Sequence, residues 1–333
     1  MLAAVAVVLA VALAGCDAPE TSKAFDGHGA WQWVHDVVTY DDGSPRYRVP
    51  GTPGHADGAD WLQLAMAMPG WNVTRQTFTG ADYEQLDLAA VQTYRGTTYC
   101  KEPDRSEVAN ITFHNLYATH GPADPVVWLG AHWDSKEEAS EDPDAPAAPV
   151  LGANDGASGV GVLLQLMWQM GVGDLTVPFG VGVVFFDGED GFQDCHPLAG
   201  SLYFAQTMPA GLVDRFILLD MVGDADARFI RESQSVASDP ELVDLLWQHG
   251  ARYAPAAFTE IRRPISDDHV PFIHAGVRAV DIIDGGRSGT FPPYWHTTDD
   301  TMDNIDAGML GAVGDVVWQT LVDEAFLATL EGP

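Results

Sequence analysis

The sequence predicts an α/β fold with a largely parallel central sheet, and two observations predict it. From about residue 126, short continuous runs of Val, Ile, Leu and Phe alternate with longer segments of helical periodicity. Each apolar run then ends in Asp, Glu or His, as strands do when they deliver functional groups to one edge of a sheet. The 333 residues are 46% hydrophobic and include 10 Trp, enough for a large core and too apolar for disorder.

The elements follow in order. "PVVWLGAHWD" is a buried strand that runs into polar residues, and "GASGVGVLLQLMWQM" is a helix entered through Asn154 and Asp155. "PFGVGVVFFDGED" is the next strand and "LAGSLYFAQTM" a helix. "DRFILLDMVGD" and "VRAVDIID" are two more strands, with the helix "DPELVDLLWQHGARY" between them. "NIDAGMLGAVGDVVWQTLVDEAFLATL" closes the chain as one long amphipathic helix. Upstream, 25–125 is aromatic and irregular, with strand-like pieces such as "NITFHNLYA". "KEEASEDPDAPAAPV", 136–150, is an acidic insertion expected to be a solvated loop.

The strand ends gather a short list of polar residues. The first ends in "AHWDS", with His132 and Asp134 two apart, and the following loop "GANDGASG" holds Asp155. "VVFFDGEDG" breaks from Val and Phe into Asp187, Glu189 and Asp190, and "FILLDMVGD" supplies Asp220. "RRPISDDHVPF" supplies Asp267, Asp268 and His269, and "FPPYWHTTDD" supplies Trp295 and His296. Singly, each has an ordinary explanation: Asp155 as a helix cap, Asp220 as a hydrogen-bonded strand-end acid, His269 and His296 as loop histidines. Asp268 and the pair Asp299–Asp300 read as capping or solvated charge. Together the ordinary explanations fail, because like charges delivered to one edge repel unless a cation holds them. Oxygen and imidazole ligands without thiolates suit a catalytic zinc.

Charge and export signals narrow the partners. Against 48 acidic residues stand 16 basic ones, a net charge of −32 that repels nucleic acid and anionic membranes. The first sixteen residues, "MLAAVAVVLAVALAGC", are apolar and too short for a comfortable membrane span. "LAGC" resembles a lipobox, which makes Cys16 the acylated residue, 1–16 a lipoprotein-type signal and 17–30 a tether; a plain secretion signal or a membrane anchor are the alternatives. Export is expected in each case, with membrane contact only through the N-terminal anchor. Cys100 and Cys195 then remain, too few for a four-thiolate zinc site and too far apart in sequence to argue a disulfide.

Quoted together, "GAHWDSK", "GANDGAS", "FFDGED", "GSLYFA", "LLDMVG", "SDDHVPF" and "FPPYWHTTDDTMDNID" resemble the zinc aminopeptidase-like peptidases of family M28. Within it the chain looks most like the glutaminyl-peptide cyclotransferases, from "YRVPGTPG" to the last helix. The resemblance implies a three-layer α/β/α fold with a mixed, mostly parallel sheet, and 31–333 as a single catalytic domain. It implies one zinc on Asp155, Asp190 and His296, with Glu189 as general acid/base and Asp187 structural. Asp220 and Asp267 match acids that share protons with that base, and Trp295 matches an indole of the substrate pocket, with Phe291 beside it. The implied substrate is a peptide with N-terminal Gln, cyclised to pyroglutamate with loss of ammonia. The aminopeptidases of the family use the equivalents of His132 and Asp220 for a second zinc, so a dinuclear aminopeptidase is the alternative. A non-catalytic exported binding lipoprotein is the third expectation. Two departures bear on the site: Asp190 stands where both groups usually carry Glu, and Cys195 where animal cyclases carry a pocket aromatic.

Overall fold

The computed structural model describes residues 24–87, 109–121, 125–190, 197–208, 213–287 and 290–330. Cys16, Cys100 and Cys195 lie outside the described residues, and with them the expected lipidation site. Helices α1 (Gly27–Val38) and α2 (Pro53–Ala65) come first, then β1 (Asn72–Thr79), the single turn α3 (Gly80–Tyr83), β2 (Thr112–His120) and β3 (Pro125–His132). Next are α4 (Ala157–Gly171), β4 (Gly180–Phe186), α5 (Ala199–Thr207), β5 (Arg215–Asp220) and β6 (Phe229–Glu232). The rest are α6 (Ser233–Ser238), α7 (Pro240–Tyr253), β7 (Phe258–Arg263), α8 (His269–His274), β8 (Arg278–Ile283), α9 (Ala307–Val322) and α10 (Glu324–Leu330).

Six strands form the central sheet in the order β1-β2-β4-β3-β5-β8. The pairs β4–β3, β3–β5 and β5–β8 are parallel, and β1–β2 and β2–β4 antiparallel. The parallel strands read as continuous apolar runs because both faces are covered. Leu129, Val183, Phe185, Ile217 and Leu219 enter one core, which α1, α4, α7 and α9 share. Their neighbours Trp128, Val184, Phe186, Phe216 and Leu218 enter a second core with Phe204 of α5 and Phe272 of α8. A period of two therefore divides one apolar run between two helical layers. Gly182 makes room for this: a Cβ there would lie 2.3 Å from the Trp128 indole. The smaller sheet pairs β6 with β7 in parallel.

Several expectations change. Helix α1 takes in residues 27–30 of the expected tether, and its start is tied down where the Phe25 N–H donates to Asp315 Oδ1 at 3.0 Å. The stretch expected to be irregular holds α1, α2 and β1; α2 begins at Pro53, with Thr52 accepting from the His55 N–H. The expected last helix is two, because Asp323 turns extended and its Oδ1 accepts from the Ala325 N–H at 2.8 Å. The acidic insertion is not simply solvated. Asp142 in it accepts from Thr298 N at 3.0 Å and Thr298 Oγ1 at 2.6 Å, and the Glu141 N–H donates to His296 O at 3.1 Å.

One buried cation braces the loops that carry the strand-end residues. Arg48 is 1% exposed; its guanidinium donates to Trp133 O at 2.6 Å, Leu151 O at 2.9 Å and Gly152 O at 2.9 Å. Burial lowers its pKa to about 10, with Asp134 and Asp300 pulling the other way, so it stays charged. Arg48→Met keeps much of the volume but leaves three carbonyls short of donors. It is expected to lower stability by about 3 kcal/mol, read as a fall in urea midpoint at unchanged slope.

Candidate active site

The carboxyl ends of β3, β4 and β5, with the loops after β7 and β8, surround one cavity of about 550 Å³. Asp155, Glu189, Asp190, Asp220, Asp267, Phe291, Trp295 and His296 all line it. His132, at the end of β3, lies beneath them and is 1% exposed. Sequence reasoning expected these nine residues together, and the fold brings them together.

Their geometry centres on Asp155. Its Oδ1 lies 3.0 Å from His132 Nε2, and its Oδ2 lies 3.5 Å from His296 Nε2. His296 Nε2 is also 3.3 Å from Asp190 Oδ1, and His132 Nε2 is 3.3 Å from Asp220 Oδ1. Ligand atoms of His132, Asp155 and Asp190 lie within 4.8 Å of one another. Two carboxylates and an imidazole converging from Asp155, Asp190 and His296 suit a divalent cation, since the acids would otherwise repel in a dry cleft.

Local structure fixes each group. Asp155 does not cap α4; the N-cap position is Gly156, without a side-chain hydrogen bond. A Cβ on Gly156 would lie 2.2 Å from the His132 ring, so glycine lets that ring sit under the loop. His296 adopts a left-handed φ of 55°, uncommon for a side chain of its size. Its ring stacks on Trp295 with centroids 3.6 Å apart, and Trp295 lies 4.5 Å from Phe291. Glu189 is half-buried, and its N–H donates to Asp134 Oδ1 at 3.1 Å. Asp187 is buried and is absent from the cavity lining; its Oδ2 lies 2.8 Å from His55 Nε2.

The acids carry different charge. Burial opposes a charged His132, yet hydrogen bonds to Asp134, Asp155 and Asp220 hold its pKa well above the ordinary value. Burial pushes Asp190 up, but His296 and Lys136 outweigh it and keep that carboxylate ionised. Burial raises Asp220 to about 6 against the pull of His132. Burial, then the charge of Asp220, raises Asp267 to about 7. Carboxyls that keep a proton near neutrality stand beside carboxylates that do not.

Two acids were misread from sequence. Asp300 is fully buried, and accepts from the Asn154 N–H at 2.8 Å and the Asp155 N–H at 3.1 Å, so it positions the Asp155 loop. Asp268 is also fully buried and makes no side-chain cap to α8. Lys136, 3.9 Å from Asp190 Oδ1, was not singled out at all. Asp300→Ala is expected to weaken metal binding about 10- to 100-fold while the fold persists, as measured by chelator competition.

The family model of peptidase family M28 matches residues 115–321. The glutaminyl-peptide cyclotransferase-like protein of Bos taurus is 26% identical over 289 residues, 78% of this chain and 67% of that protein. The chain thus spans about two thirds of the length of that curated relative. The structure of Bacteroides thetaiotaomicron glutaminyl cyclase bound to N-acetylhistamine superposes with a TM-score of 0.75 and 28% identity, over 91% of this chain and 99% of that one. A Zn-dependent exopeptidase from Parabacteroides distasonis gives a TM-score of 0.76 and 27% identity, over 91% and 100%. With the family's model covering residues 115–321, more than half of the sequence and most of the sheet, the chain belongs to peptidase family M28.

Proposed function

We propose that this protein is a zinc-dependent glutaminyl-peptide cyclotransferase, converting N-terminal Gln of peptides to pyroglutamate with release of ammonia. What carries this reading is likeness to glutaminyl cyclases along nearly the whole chain, together with one cavity that joins Asp155, Asp190 and His296 to Glu189 and an aromatic wall. Asp155, Asp190 and His296 would hold one zinc per chain, which when bound would supply Lewis-acid polarisation of the carboxamide.

The chain's own residues do the rest. Trp295 and Phe291 wall the cavity against a folded-back glutamine side chain, which brings the α-amine to the γ-carboxamide carbon. The new C–N bond forms as the amine loses a proton to Glu189. Glu189 returns that proton to the carboxamide nitrogen, whose bond to carbon breaks, and ammonia departs. Asp220 and Asp267, both raised by burial, share protons with Glu189 and keep it from facing two full charges.

One observation favours a second reading, a dinuclear aminopeptidase: Asp155 turns one oxygen to each of His132 and His296, as a carboxylate bridging two metals would. Products separate the two. A Gln-Xaa-Xaa peptide is expected to lose ammonia while a Leu-Xaa-Xaa peptide stays intact by mass spectrometry; shortening of the Leu peptide by one residue would establish hydrolysis instead. Glu189→Gln is expected to lower kcat about 10²- to 10⁴-fold with zinc content unchanged.

The proposal extends to export, with lipid on Cys16 as the anchor. The mature N-terminal peptide of the envelope fraction should then begin at an acylated Cys16, and an unmodified N-terminus elsewhere would remove the anchor.

A further inference from the structure

Behind the cavity floor lies a second buried group of acids around one histidine. Asp267, His269 and Asp281 bring ligand-type atoms within 4.8 Å of one another, and all three side chains are buried. His269 Nε2 is 3.1 Å from Glu232 Oε2, and His269 Nδ1 is 3.7 Å from Asp281 Oδ2. Asp281 is fully buried on β8, and neither of its carboxyl oxygens has a hydrogen-bond partner, although its N–H donates to Ser235 Oγ at 3.1 Å.

Glu232 settles where the histidine proton sits. Its oxygens accept from Gln234 N at 2.9 Å, Ser235 N at 2.6 Å, Ser235 Oγ at 2.9 Å and Ile265 N at 3.1 Å. Burial works against its charge, but His269 and these donors lower its pKa to about 2. An ionised Glu232 is only an acceptor, so His269 donates from Nε2. Nδ1 and Asp281 Oδ2, 3.7 Å apart and each without a hydrogen-bond partner, then face each other as lone pair to lone pair unless one of them carries a proton. The groups facing Asp281 are Glu232 beside α6, Asp267, Asp268 and His269 at α8, and Asp220 on β5. All but His269 are acids, and burial with their combined charge raises Asp281 well above the ordinary range.

We propose that Asp281 holds a proton against His269 Nδ1 and, by staying neutral, positions the charge of Asp267 at the floor of the cavity. Asp281 is a positioning residue for the cyclisation; it does not line the cavity, whereas Asp267 does. This rests on the reading of Asp267 as a proton-sharing partner of Glu189. An ionised Asp281 would add one more negative charge beside Asp267 and Asp220 and drive both to hold protons permanently. The Glu232–His269–Asp281 chain prevents that without placing any cation in a volume closed to solvent.

Infrared difference spectra of the zinc-loaded full chain at neutral pH, native minus Asp281→Asn, test the proton directly and do not depend on turnover. The carbonyl stretch of a protonated carboxylic acid is expected in the native protein and lost in the variant. Asp281→Asn, which keeps a neutral donor, should preserve the acid limb of the kcat–pH profile. Asp281→Leu, matched for size without a donor, should lower kcat about tenfold and move that limb upward by roughly one pH unit, because a more apolar surrounding raises Asp267. The proposal is overturned by a native spectrum without the band, by a band that survives Asp281→Asn, or by a second metal per chain that Asp281→Asn removes. If no cyclisation occurs at all, the cyclase reading fails while the band still decides the proton.

Discussion

Negative charge confined to a dry cleft is the constraint on which the rest of this structure depends. Parallel strands deliver Asp155, Asp190, Asp220 and Asp267 to one edge, and none is more than 8% exposed. An isolated buried carboxylate costs several kcal/mol, so each must find donors, a cation or a proton. The fold uses all three. Asp300 takes two backbone N–H groups, Asp187 takes His55, and Asp134 takes the Glu189 N–H. Asp155 and Asp190 lie against His296, and their ligand-type atoms with that of His132 are close enough together to hold a metal ion. Asp220 and Asp267, lacking enough donors, are raised by burial into the range where they hold protons. Whether a carboxyl stays charged or is raised toward neutrality follows from what it meets, not from its residue type.

The same constraint explains the frame around the cleft. A sheet covered on both faces keeps water away from the strand ends, and that dryness makes charge placement selective. It also demands that the loops be rigid, because a mobile loop would admit water. Arg48 serves that demand by gathering the carbonyls of Trp133, Leu151 and Gly152, which flank the residues that point into the cavity. The charge of this buried guanidinium also acts on Asp134 and Asp300, so Arg48 belongs to both the packing and the electrostatics.

What the sequence made legible, and what it hid, follows from the same physics. Strands β3, β4, β5 and β8 are continuous apolar runs because both faces are buried, and their ends could be read without a structure. Strand β1 could not: it is an edge strand in which only Phe78 is fully buried, so its pattern resembles a polar loop. Helix α1 was hidden among aromatic residues whose partners, α4 and α9, are remote in sequence, and α2 packs against β1 and β2. The helical period runs straight through Asp323, so the break between α9 and α10 gave no local sign. Asp300 looked like capping or solvated charge, because such an acid and a buried acceptor of backbone N–H groups have the same local pattern. Arg48 was invisible for a similar reason, since a buried arginine differs from a surface one only in what surrounds it.

Asp190 shows how such substitutions are accommodated. Where the resemblance leads one to expect Glu, Asp190 brings its carboxylate one methylene less far, so the reach has to come from elsewhere. The turn that carries it is pinned. Gly188 adopts φ 70°, and a Cβ there would lie 2.8 Å from Phe113, while the Leu198 N–H donates to Glu189 O at 3.3 Å. The opposing side is what is shaped to meet it. His296 takes up a left-handed backbone that turns its Nε2 to 3.3 Å from Asp190, and that loop is held from outside by Glu141 and Asp142 of the acidic insertion. Left-handed backbone at a non-glycine residue persists only where its surroundings over-determine it. The insertion therefore supplies part of the restraint that keeps His296 close to Asp190: the Asp142 side chain and the Glu141 N–H are fastened to that loop, while the side chains of Glu138, Glu141 and Asp144 stay exposed.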